Sequence, residues 1–484
     1  MAEWLPLNAL MARPQPGRIV AGDSVAMTHA QLRERAGAWR DAFSARPGRW
    51  ALYLDDALEF TAALFGAWHA GTDVWLCGDT LPATLDALAD AVDGYAGDMP
   101  DERAPLRPAA DVPRRADDGD WPLLDETASR LVVFTSGSTG APVAIEKSLA
   151  QLAREVEALE CCFGAGLDDA VVHGTVSHQH IYGLLFRVLW PLAAGRPIAP
   201  RWFFHEELAP ALAREPASVL VSSPAHLKRL PDTLDWSGAA HGLRAVFSSG
   251  GVLPEDAAAL AQRLLGRAPV EVYGSSETGG IGWRHGGTGA AWQPLPGVCW
   301  RIADGQLEVS SPHLPTPDWW RSQDRAEAVD AGFRLLGRAD RIVKIEERRV
   351  SLDRLERELL ELPQVAEARV LVLPGARAQL AAVVVPTAAG GEELAGLGRR
   401  GFGQRLSAAL AGVQDAVTRP RLWRFVPALP ANAQDKVTEA ALRALFSADA
   451  RPSLPEPTWL QRGLESALAE VWMDAALRVF DGHF

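Results

Sequence analysis

Between Thr28 and Phe43 apolar residues recur at Leu32, Ala36, Trp39 and Phe43, the spacing of one helix face. Thr28 and Gln31 fit a reciprocal N-terminal cap, each side chain answering a free backbone N–H near the other. Trp50-Ala51-Leu52-Tyr53-Leu54 predicts a strand, Glu59 to His69 a helix and Val74-Trp75-Leu76 another strand. Leu131-Val132-Val133-Phe134 reads as a buried strand and Gln151 to Leu159 as a helix. Further strands are predicted at Ala170–Val172, Val219–Ser223, Leu243–Phe247 and Val270–Tyr273, with an apolar helix ending near Leu192. Such alternation predicts βαβ units around a mainly parallel sheet. Residues 96–121 are rich in Pro, Asp and Arg without period and read as a surface loop. His69 has no paired ligand in sight and reads as structural.

The pattern changes toward the C-terminus. Ser351 is placed to cap a helix that turns Leu352, Leu355, Leu359 and Leu362 inward. Ala368–Leu373 and Leu380–Val385 form a strand pair about Pro374-Gly375, and an amphipathic helix centres on Leu406 and Leu410. Composition narrows the class. The 484 residues are enough for at least two domains. With 48% hydrophobic and 23% charged residues the chain is that of an ordinary globular protein. A net charge of −13 argues against nucleic acid as a partner. The four cysteines match neither a disulfide framework nor a zinc pattern. No leader-like start and no apolar run of about 18 residues is found, so no membrane insertion and a cytoplasmic location are expected.

The chemistry concentrates where strands end. Phe134-Thr135-Ser136-Gly137-Ser138-Thr139-Gly140 offers short hydroxyls and a backbone free to curl, which suits a phosphate-binding nest. A mobile Ser/Gly turn is the alternative. The loop is not a P-loop: the GxxxxGK[ST] order is absent, and Lys147 is the next lysine. In open α/β sheets ligands sit beyond the carboxyl ends of strands, so the tips at Ser222-Ser223, Ser248–Gly251 and Tyr273–Thr278 converge on one site.

Taken in order, these stretches resemble the adenylate-forming superfamily of acyl-CoA and aryl-CoA synthetases, acyl-carrier-protein ligases and adenylation domains. The same order continues through Gln323-Asp324, Gly337-Arg338-Ala339-Asp340-Arg341-Ile342-Val343-Lys344-Ile345 and Asn432-Ala433-Gln434-Asp435-Lys436. The resemblance implies an α/β fold: a large N-terminal domain of mainly parallel sheets with flanking helices (1–338), then a small mobile α+β domain (339–450). It implies an AMP-forming acid–thiol ligase using ATP and Mg²⁺, with a carboxylic acid and an acyl carrier protein or coenzyme A as partners. By that resemblance Thr135, Ser136, Gly137, Ser138, Thr139 and Gly140 cradle the departing phosphates. Gly250 and Gly251 let the backbone approach the adenine face, Tyr273 stacks on it, Gly274 is a further nucleotide-binding position, Asp324 accepts from the ribose hydroxyls, and Arg338 is a second nucleotide contact. Glu277 is the Mg²⁺ ligand, Thr278 contacts the α-phosphate, and His180, in Ser177-His178-Gln179-His180-Ile181-Tyr182-Gly183, flanks the acyl pocket. Lys436 bridges carboxylate and α-phosphate during adenylation. Asp340 is the hinge, about which the small domain swings to bring Lys344 to the thiol-transfer step.

The chain also departs from the family pattern. Asp435 replaces the glycine before the catalytic lysine, Val143 replaces the lysine after the loop's proline, and Glu346-Glu347 replaces a Gly-Gly pair. Lys147 is a candidate substitute for the lost lysine. Residues 451–484 read as a Pro-rich linker and a helix, and Asp481-Gly482-His483-Phe484 resembles the opening of a hot-dog dehydratase. That ending implies a shortened fusion and points to the acyl or aryl ligases of aryl-polyene-type clusters, which load an aromatic acid, such as a hydroxybenzoate, onto a carrier protein. A coenzyme A ligase for a fatty or aryl acid, and a non-catalytic nucleotide- or adenylate-binding module, are the alternatives.

Overall fold

A computed structural model describes residues 3–22, 26–108, 121–136, 142–201, 203–285, 290–329, 332–345, 348–373, 379–412, 418–431 and 437–446. Residues up to Leu355 belong to one compact unit; Glu356–Pro430 and the chain from Val437 belong to another. The sequence reading sets its domain boundary earlier, after Arg338.

The first unit begins with helix α1 (His29–Ser44), whose Thr28–Gln31 reciprocal cap forms as expected. Its stripe of Leu32, Ala36, Trp39 and Phe43 is buried against helix α2 (Ala57–His69). Large side chains such as Leu32 and Phe43 are each worth about 1.5–3 kcal/mol when removed from water. The two helices meet closely at Gly66, where a Cβ would stand 2.7 Å from the Ala36 carbonyl oxygen. Strands β1 (Arg49–Tyr53), β2 (Asp73–Leu76), β3 (Gly94–Gly97), β4 (Arg130–Ser136) and β5 (Pro142–Ser148) make a sheet of order β3-β1-β2-β4-β5. Its pairs are parallel except β4–β5, the hairpin that carries the candidate phosphate loop.

A second sheet holds β6 (Val171–Gly174), β7 (Ser218–Ser222), β8 (Leu243–Ser248) and β9 (Val270–Ser275) in parallel. It is extended by antiparallel β10 (Gly279–His285) and β11 (Gln293–Pro294). The third sheet, β12 (Cys299–Ala303), β13 (Gln306–Ser310), β14 (Trp320–Val329) and β15 (Gly332–Arg338), is wholly antiparallel. The large unit is therefore a mixed α/β structure, with more antiparallel pairing than the apolar runs predict. A hairpin of β16 (Ile342–Ile345) and β17 (Arg348–Ser351) follows.

Two local readings are refined. The segment expected to be a surface loop at 96–121 is anchored at both ends. Leu106 donates its N–H to Tyr95 O (2.7 Å), and Trp121 is buried against His69, ring centroids 4.6 Å apart. Burial, followed by nearby Arg40, lowers the His69 pKa to about 4, so it stays neutral as a structural histidine should. The helix expected to end near Leu192 spans Ile181 to Ala194 but is π-helical from Leu184 to Leu189. That widened turn precedes Pro191, whose ring cannot sit in a regular α-helix without displacing a carbonyl.

The helix Leu352–Leu360 is started by Ser351, whose Oγ accepts from Arg354 N (3.3 Å). In the second unit β18 (Val365–Leu373) and β19 (Gln379–Pro386) pair antiparallel, and β20 (Leu422–Phe425) joins β19 in parallel. The amphipathic helix runs from Ala388 to Ala409 with a break at Gly398, where φ is +67°. Leu371, Ala381, Val383 and Leu442 form one buried apolar cluster of this unit. Among the described residues no helix is long and apolar enough to cross a membrane.

Candidate active site

Antiparallel pairing of β14 with β15 sets Asp324 opposite Arg338. The Tyr273 hydroxyl, at the end of β9, donates to Asp324 Oδ2 at 2.5 Å. Burial and then the Asp324 charge push the Tyr273 pKa well above its usual value, so the phenol stays a donor. Its ring packs against Trp292 (5.3 Å) and Phe333 (6.1 Å), which leaves it half-exposed. Asp324 is steadied further by its own N–H on Ser322 Oγ (3.0 Å). Arg338 makes a bidentate pair with Asp340 (2.9 and 2.6 Å), which raises its pKa, while its backbone N–H reaches Asp353 (2.9 Å). A tyrosine from the second sheet and an oriented carboxylate and an arginine from the third are thus brought together through the Tyr273–Asp324 hydrogen bond.

Beside them, the turn from β9 to β10 carries Glu277 and Thr278. Thr278 is buried, its hydroxyl accepting from Ser275 N (3.2 Å) and donating to Gly279 O (2.9 Å). Its side chain therefore shapes the turn. Gly274 allows the hairpin to close: a Cβ there would meet Gly279 O at 2.3 Å. At the end of β8, Ser249 Oγ donates to Val272 O (2.8 Å) and Gly250 takes φ +90° with open space around it. Glycine is required there for its backbone angle, and the exposed main chain leaves room for a flat ligand.

Sequence reasoning missed the residues that hold this turn. Lys147 is only 2% exposed, and its ammonium donates to Glu277 O (2.9 Å) and His313 O (3.3 Å). The candidate substitute for the loop's lost lysine is thus committed to carbonyls, not to a phosphate. Helix α3 (Leu149–Phe163) adds Gln151, donating to His313 O (2.9 Å), and Glu155, accepting from Gly280 N (2.6 Å). One signal was available: Glu155 stands in the apolar stripe of Leu152, Val156 and Leu159.

His180 sits at the N-cap of the helix beginning at Ile181 but makes no side-chain capping bond, so the simple capping role does not account for it. Its neighbour His178 is buried, with Nε2 2.8 Å from Leu54 O. Desolvation, then the Arg187 charge, holds the His178 pKa down to about 3 against an ordinary 6.5. A pKa depressed on folding gives stability that is complete above about pH 6.5 and lost as the pH falls toward 3. The His178 contribution should amount to about 1.4 kcal/mol per pH unit in that window. His178→Gln should flatten the acid limb of a plot of melting temperature against pH; an unchanged slope would remove His178 from that role.

Several expected site residues lie outside the described region: Gly137, Ser138, Thr139, Gly140 and Lys436, together with the tail at 451–484 and its His483. For Thr135, Ser136 and Lys344 only the backbone is described, the first two ending β4 and the third in β16.

The described residues fit a magnesium nucleotide in kind. An aromatic face, a carboxylate with a free lone-pair edge and open backbone at Gly250 suit a nucleoside. The half-exposed Glu277 supplies one hard oxygen donor set. Among the described residues no cluster of three metal-binding side chains occurs. Mg²⁺ ordinarily takes one or two carboxylates and completes its shell with substrate phosphates and water.

Comparison with known proteins identifies the family. The family model for AMP-binding enzymes matches residues 88–315. The chain is similar to a 4-coumarate–CoA ligase of Rhodobacter capsulatus, 33% identical over 325 residues, covering 65% of this chain and 76% of that protein. It is also similar to the p-hydroxybenzoic acid–AMP ligase FadD22 of Mycobacterium marinum, 27% identical over 402 residues, covering 76% of this chain and 54% of that protein. In fold it resembles ATP-bound MatB from Rhodopseudomonas palustris, with TM-score 0.69 and 22% identity over 92% of this chain and 99% of that one. The chain belongs to the AMP-binding, adenylate-forming enzyme family and is an AMP-forming ligase that activates a carboxylic acid with ATP.

Proposed function

We propose that the acid is aromatic and that the acyl group passes to coenzyme A. A carboxylate oxygen attacks the α-phosphorus of ATP as pyrophosphate leaves. The thiol sulfur then attacks the adenylate carbonyl carbon as AMP leaves. Tyr273 and Asp324 hold the nucleoside, Arg338 exchanges Asp340 for the nucleotide, and Lys436 neutralises charge developing between carboxylate and phosphate. Bound Mg²⁺ would shield the phosphates, with Glu277 as its protein ligand. Asp340 serves as the hinge and Lys344 acts in thiol transfer. The reading includes a cytoplasmic location, where ATP and coenzyme A are at hand.

The observation that carries coenzyme A over the carrier protein first expected is the similarity to 4-coumarate–CoA ligases, which recurs in Halorhodospira halophila at 30% identity. The relative named for p-hydroxybenzoic acid favours a second reading, in which an aryl-adenylate goes to a carrier-protein thiol. Loading of an aryl-polyene-type carrier belongs to that second reading and rests on the tail alone. The enzyme incubated with ATP, Mg²⁺ and coenzyme A should form a thioester with benzoate, 4-hydroxybenzoate or 4-coumarate in preference to octanoate, as read by mass spectrometry. AMP release with transfer only to a pantetheinylated carrier protein would establish the second reading; thioester from octanoate alone would reject the aromatic acid.

A further inference from the structure

Lys147 is a buried charge that a methionine of similar volume could replace without the cost of desolvating an ammonium. Its donors are directed at one place. Strand β5, which bears Lys147, leaves the candidate phosphate loop directly, and α3, bearing Gln151 and Glu155, follows β5 without a break. This single segment grips the Glu277 turn from both sides. Lys147 holds the carbonyl of Glu277, and Glu155 holds the N–H of Gly280. His313 bonds Gly280 O through Nδ1 (3.0 Å), and its own carbonyl accepts from Lys147 and Gln151. The turn has no slack: a Cβ on Gly279 would stand 2.6 Å from Glu155 Oε2, and one on Gly280 2.6 Å from Leu295.

We propose that Lys147, seconded by Glu155, is a positioning residue for the magnesium nucleotide. It ties strand β5 to the backbone of Glu277, so that the turn bearing the carboxylate is held in one position for the metal. Groups that orient a metal ligand from behind affect metal affinity by about 10–100-fold when removed.

The inference rests on the reading of Glu277 as the Mg²⁺ ligand, and the two can be separated by binding alone. ATP affinity is measured by titration calorimetry with Mg²⁺ and with EDTA, beside the melting temperature. In the parent protein Mg²⁺ should tighten ATP binding, and Lys147→Met should lose about tenfold of that enhancement. Its affinity in EDTA should change less than about threefold, and Lys147→Arg should recover most of the loss. Lys147→Gln, which keeps an uncharged N–H donor group, should lose more than about threefold and replaces the methionine variant if that does not fold. A full Mg²⁺ enhancement in a folded Lys147→Met or Lys147→Gln protein overturns the proposal. So does a loss equal in Mg²⁺ and EDTA, which is what a purely structural brace would give. Full enhancement in Glu277→Gln overturns the metal reading itself.

Discussion

Lys436→Ala is expected to slow acyl-adenylate formation by about a thousandfold while transfer from preformed adenylate to the thiol continues. In adenylation two anions approach, and negative charge grows on the oxygens around the α-phosphorus. A cation aimed at that point stabilises the transition state more than the ground state, so its loss falls on the rate constant. The assignment rests on the motif position of Asn432-Ala433-Gln434-Asp435-Lys436. Asp435 adds a second expectation. A carboxylate next to the ammonium weakens its pull on phosphate, so Asp435→Gly should raise the adenylation rate by several-fold. Single-turnover measurements of each half-reaction decide the matter. Equal loss of both steps in Lys436→Ala would contradict a role confined to the first.

Asp324→Ala is expected to raise the KM for ATP by about a hundredfold and to change kcat much less. A hydrogen bond to a charged acceptor is worth about 1.5–3 kcal/mol, and in the proposed reading this carboxylate accepts from both ribose hydroxyls. It is held ready by the Tyr273 hydroxyl at 2.5 Å and by its own N–H on Ser322. Tyr273→Phe removes only that support and should raise KM by a few-fold, the effect of one lost orienting bond. The parent enzyme should discriminate against 2′,3′-dideoxy-ATP, and Asp324→Ala should accept both nucleotides alike. Retained discrimination in the variant would mean that Asp324 does not touch the ribose.

The alternating core of the first unit was legible because parallel strands between helices are nearly continuous apolar runs, as at Leu131–Val133 and Val219–Val221. The third sheet was not. Its strand Trp320–Val329 is half-exposed and charged, with a register shift at Arg325 that breaks the two-residue period. Asp324 and Arg338 could be named from motif order, but their adjacency exists only through β14–β15 pairing. Lys147 was misread for a similar reason. Its place just after the loop suggests a phosphate contact, but the carbonyls it holds come from Glu277 and His313, far along the chain. The π-helical turn before Pro191 left no signal beyond the proline itself.

The most direct test of the account is exchange of labelled pyrophosphate into ATP. The parent enzyme with Mg²⁺ should return label to ATP only when an aromatic carboxylic acid is present; Lys436→Ala should suppress that exchange at any ATP concentration, and Asp324→Ala at ATP near the parent KM. A folded protein that binds ATP yet exchanges no pyrophosphate with any acid would contradict adenylate formation at this site.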